Sequence, residues 1–155
     1  MSTAPRFPQA DFLDWLAQPA ASKHAASLPT PLRTMLVATD GSAQWTPAAA
    51  HLCRLLQARQ AMWQAALDST LSQDELRRHQ KFARPGAPSP HIVQLRQQQA
   101  AARHASNQSR QAFNQSAAAF MHETGIKQAP RTTLEAFMIG WIEHQLPQDF
   151  PPRSA

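Results

Sequence analysis

The sequence predicts an all-α protein, a small helical domain organised around one long helix, and three observations carry that expectation. Residues 90–124 contain neither Pro nor Gly, while Ser89 can cap, Pro90 suits the first helical position and Gly125 can take the left-handed conformation that ends a helix. At about 1.5 Å per residue this rod is roughly 50 Å long. Residues 47–68 place Ala48, Leu52, Leu55, Leu56, Met62, Trp63, Ala66 and Leu67 at helical spacing, the best core pattern in the chain. The composition is poor in Ile and Val, lacks Tyr and is rich in Ala, Gln, Leu and Arg, which favours helix over strand. The long helix is therefore expected to pack as a helical hairpin or bundle with helices at 47–68 and 133–145.

In chain order, residues 1–7 are expected to be a flexible arm, and 8–146 a single helical domain. Pro8 opens a short helix through Gln18, whose Phe12, Leu13, Trp15 and Leu16 are too apolar to stay in water. Pro19 stops it, and residues 19–29 read as a linker. Thr30-Pro31 and Thr46-Pro47 repeat a cap-plus-proline entry, and Asp40-Gly41 marks a turn between them. A strand over 35–39 competes with the short helix after Pro31 but has no evident partner. Ser72 with Glu75 forms a capping box, so a separate helix is expected to follow and to reach Phe82 or Ala83. Residues 84–90, with three prolines and Gly86, read as a break. Thr132 with Glu135 is a further capping box, opening a helix that carries Leu134, Phe137, Met138, Trp141 and Ile142. Gly140 inside it either weakens the helix by roughly 1 kcal/mol relative to Ala or lets a neighbour approach closely, and the apolar surroundings favour close approach. Residues 147–155 read as a disordered Pro-rich tail.

The faces of the long helix differ. In a coiled-coil heptad frame from Ile92, the a positions are Ile92, Gln99, Ser106, Phe113 and Phe120, and the d positions are Leu95, Ala102, Ser109 and Ser116. The seam is apolar at its ends and small or polar at its centre, which packs weakly. Arg96, Arg103 and Arg110 recur at e, on one side of the rod. From Leu76 to His122 there is no Asp or Glu, yet Arg77, Arg78, Lys81, Arg84 and the three e-position arginines lie within it. The whole chain of 155 residues carries a formal charge of +5, with twelve Arg against three Lys. That balance suits contact with carboxylates or phosphates.

Groups for catalysis are sparse. The single cysteine, Cys53, excludes an internal disulfide framework and a cysteine-based zinc site, and reads as a small core residue. Glu75 and His79, at i and i+4, share a helix face and could ligate a metal, but an exposed helical pair beside Arg78 is the preferred reading. Phosphate loops, dinucleotide fingerprints and serine elbows are missing. No catalytic residue, cofactor or metal is expected, and the chain is read as not an enzyme.

The leading expectation is an accessory protein, whether adaptor, chaperone or assembly factor, that binds a partner protein with an acidic surface. Arg96, Arg103 and Arg110 would steer that partner, and Phe113, Phe120 and Trp141 would add apolar contact. A homodimer is a further expectation from the weak seam. The alternative is a small nucleic-acid-binding regulator that uses Arg77, Arg78, Lys81 and Arg84 on phosphates. A third reading is a secreted bacterial effector. No window approaches the roughly 18 apolar residues of a membrane span, and the first thirty residues lack a signal-peptide pattern. The expected location is cytoplasmic, with export without a cleaved signal as the other course.

Overall fold

The computed structural model describes residues 5–18, 28–38, 40, 44–81, 86 and 89–147. Among them are five helices: α1 (Ala10–Leu16), α2 (Thr30–Leu36), α3 (Pro47–Lys81), α4 (Pro90–Thr124) and α5 (Leu134–Gln145). The α4 rod begins and ends where its sequence dictates. Ser89 accepts a 3.3 Å hydrogen bond from the Ile92 amide, and Gly125 closes the helix at φ +75° with its N–H on the Met121 carbonyl. Thr133, rather than Thr132, caps α5 by accepting from the Ala136 amide at 3.1 Å. The Thr132 hydroxyl instead donates to the Ala129 carbonyl.

The largest departure from the sequence reading is α3, which runs unbroken through the expected capping box for 35 residues. Between Asp68 and Glu75 there is no Pro or Gly, and Ser and Thr cost only a few tenths of a kcal/mol each in a helix interior. Ending the helix there would strip four carbonyls of their partners. Thr70 settles into the helix by donating back to the Ala66 carbonyl at 3.0 Å. The α3 and α4 rods then form an antiparallel hairpin of equal lengths.

One end of that hairpin is thickened into a head. Phe12, Leu13, Trp15 and Leu16 of α1 and Leu32 and Leu36 of α2 pack with Leu52, Leu55, Leu56 and Met62 of α3. Phe113, Ala117, Phe120 and Met121 of α4 and Met138 and Ile142 of α5 complete the same core. The cluster stops at Met62 and Phe113, and beyond them α3 and α4 continue as a two-helix arm of roughly 30 Å. Among the described residues its buried set is thin: Ala65, Ile92, Leu95 and Ala102. The polar centre of the heptad seam is therefore where the hairpin leaves the head.

Smaller corrections follow from packing. Phe7 is buried against Trp63 at 6.3 Å between ring centroids, and Arg6 pairs with Asp11 and Asp14, while residues 1–4 of the expected arm lie outside the described residues. Thr30 is the first residue of α2 and Pro29 its cap, with no side-chain capping bond, so Thr30 does not play the expected role. The strand alternative survives as a single antiparallel bridge, Val37 with Trp45, flanked by the Ala38 amide on the Gln44 carbonyl and the Thr46 amide on the Leu36 carbonyl. Most of the expected linker and tail, and Arg84 of the expected break, lie outside the described residues. Among the described residues, no helix is long and apolar enough to cross a membrane.

Candidate functional site

The arm carries most of the charged residues singled out by sequence. Arg96, Arg103 and Arg110 are exposed along one edge of α4. Arg103 and Arg110 flank a groove of about 380 Å³ whose floor is Ala65, Ala66 and Ser69 of α3 with Ser106 of α4. The small side chains of Ala65, Ala66, Ser69 and Ser106 leave this space between the two helices. Arg110 has a counter-charge that linear sequence conceals, because its Nε lies 3.3 Å from Glu135 Oε2 in the first turn of α5. Arg77, Arg78 and Lys81 are exposed in the last turns of α3.

Helical phase puts a second groove on the other side of the seam. It encloses about 500 Å³ between Asp68, Leu71 and Glu75 of α3 and Gln98, Ala101 and Ala105 of α4. Leu71 is 65% exposed, the most exposed large apolar side chain of the described residues. The arm thus separates its charge, with carboxylates along one groove and arginines along the other. Neither groove is visible in one helix alone.

At the arm's far end the antiparallel register brings His91, in the first turn of α4, to Glu75 and His79 of α3. The two imidazole Nε2 atoms are 3.0 Å apart, with ring centroids at 4.3 Å and planes at 74°. Glu75 Oε1 lies 4.0 Å from His91 Nε2, and one donor atom from each residue falls within 4.8 Å of the others. All three are exposed. The sequence signals only the α3 pair; His91 is twelve residues from His79 and needs the hairpin to join it.

The expected apolar contact residues lie elsewhere. Phe113 and Phe120 are completely buried, so in this fold they hold the head together and have no surface for a partner. Trp141 is half-buried, stacked edge-on to Phe120 at 5.2 Å, and retains an accessible part. Cys53 is half-buried, with the Gln57 amide donating to its sulfur at 3.7 Å. Burial pushes its thiol up, against a smaller opposite pull from Arg54, which disfavours the thiolate a nucleophile needs. No known protein family, curated protein or solved structure matches the chain.

Proposed function

We propose that the protein is a non-enzymatic accessory factor of the cytoplasm that binds an acidic segment of a partner protein along the arginine edge of α4. The observation that supports this reading is the line of Arg96, Arg103 and Arg110 at seven-residue spacing, of which Arg103 and Arg110 border a groove lined by small residues. Such a groove admits an extended or helical segment, and guanidinium groups suit bidentate pairing with its carboxylates. Arg110 already has Glu135, so Arg96 and Arg103 are the residues expected to contribute most. Trp141 supplies the remaining apolar contact.

A second reading rests on the exposed Arg77, Arg78 and Lys81, which stand near the same end of the arm as Arg96 and could follow a phosphate backbone. Fluorescence anisotropy with a labelled poly-glutamate peptide and a labelled DNA duplex, on wild type and an R96E/R103E variant, separates the two. The accessory reading expects the peptide to bind and the double reversal to weaken it by roughly tenfold at unchanged helical content. Unchanged peptide binding overturns it. Preferential duplex binding that falls steeply with salt favours the nucleic-acid reading. Light scattering on the same samples reports whether a second copy of the chain, whose carboxylate groove complements the arginine edge, competes for it.

A further inference from the structure

We propose that Glu75, His79 and His91 form a binding site for a zinc-class dication that clips the far end of the α3–α4 hairpin. The donor set is two imidazole nitrogens and one carboxylate oxygen, from both helices of the arm. Tetrahedral zinc, with bonds of about 2.0–2.1 Å to nitrogen, holds its ligand atoms about 3.3 Å apart. The two Nε2 atoms at 3.0 Å are within a few tenths of an ångström of that edge. Glu75 Oε1, 4.0 Å from His91 Nε2 and within 4.8 Å of the His79 donor, needs a shift of up to about 1.5 Å, which an exposed side chain makes by rotation. Three protein ligands leave the fourth position to water.

Chemistry selects the class of ion. Magnesium and calcium prefer an all-oxygen shell, whereas two imidazoles with a carboxylate suit zinc, with copper(II) and nickel(II) as competitors. Position supplies the consequence. Among the described residues, the buried apolar side chains at this end of the arm are Ile92 and Leu95. An ion coordinated by residues of both helices adds a cross-link there, and its binding energy favours the closed hairpin. Arg78 and Lys81, within one helical turn of His79, oppose a cation, while Glu75 offsets one of those charges and solvent screens the rest.

Zinc titration of the 155-residue chain, in competition with a chromophoric chelator, tests this directly. Wild type is expected to bind one Zn²⁺ per chain, and H79A and H91A each to lower the affinity at least tenfold. Loss of a group that merely orients a metal ligand already costs about 10–100-fold. E75Q is expected to weaken binding less than either His variant, since an amide oxygen keeps a weak ligand in place. Far-UV circular dichroism confirms that the variants remain folded, as expected for exposed positions. Zinc should also slow amide exchange at residues 74–81 and 91–95 in wild type but not in the H79A/H91A double variant. Wild type without a one-to-one site, or equal zinc affinity in wild type and the double variant, overturns the proposal. The latter result would assign binding to other histidines, such as His51 or His104, and leave His79 and His91 as a simple hydrogen-bonded pair.

Discussion

Gly140 lies inside α5, where nothing among the described residues is found within 4 Å of the position a Cβ would occupy, the helix's own backbone aside. The close approach expected from its apolar neighbours is not made, so the glycine only adds backbone freedom to the unfolded chain. Gly140→Ala is expected to raise stability by up to about 1 kcal/mol in urea denaturation. The same substitution at Gly125 should have the opposite sign. Its φ of +75° is a conformation that costs an L-residue about 1–2 kcal/mol, although space for the methyl is open. Cys53 gives a third expectation at this scale. Its raised thiol value means that folded and unfolded chains both hold the proton below the ordinary value of 9.0, and there it contributes nothing to pH dependence. Above 9.0 the unfolded chain releases the proton first, so stability falls as pH rises, and Cys53→Ala should reduce that decline. Iodoacetamide should also alkylate the folded protein more slowly than the urea-unfolded one.

Among the elements, α3 shows how weak a local signal is beside helix continuity. The Ser72/Glu75 box is a genuine start pattern, yet it sits where the chain has no reason to stop. Gln73→Pro distinguishes the two situations. In a helix starting after Ser72, residue 73 would be the first position and would accept proline. Inside the continuous α3 it removes a hydrogen bond and clashes with the preceding turn, at a cost of about 3 kcal/mol or more. Urea denaturation with circular dichroism is expected to show that loss; a change below 0.5 kcal/mol would restore the two-helix reading. In α4, by contrast, cap, proline and C-terminal glycine coincide with the true ends, because the flanking segments supply breakers.

Taken as a whole, the molecule joins a head with a shared core to an arm with a thin one, and its stability should divide accordingly. Phe113 is fully buried in the head, and Phe113→Ala is expected to cost about 3–5 kcal/mol and to unfold the chain at lower urea throughout. Leu95, 2% exposed, holds the arm, and Leu95→Ala should act mainly there. Amide exchange followed by mass spectrometry should show faster opening at 66–81 and 90–106 in that variant, with the head little changed. Uniform acceleration across both regions would mean that head and arm unfold as one unit. Charge has the same large-scale order. Asp68 and Glu75 line one side of the hairpin and Arg103 and Arg110 the other, so the arm's two grooves carry opposite charge.

The sequence by itself determined that the chain is helical, where α4 starts and stops, and that Ala48, Leu52, Leu55, Leu56 and Met62 face a core, whereas Ala66 is exposed and Ala49, Ala58 and Ala65 are buried in its place. Those features depend on local backbone preferences and on the 3.6-residue period, both contained in short windows. It also showed the Arg96, Arg103 and Arg110 line, since seven-residue spacing needs only one helix. Tertiary structure alone decided that α3 continues to Lys81, that Phe113 and Phe120 are spent in the core, that Glu135 meets Arg110, and that His91 joins Glu75 and His79. Each of these depends on the antiparallel register of two helices or on the docking of a third. Register is set by the summed packing of the whole interface, and no local window contains that sum.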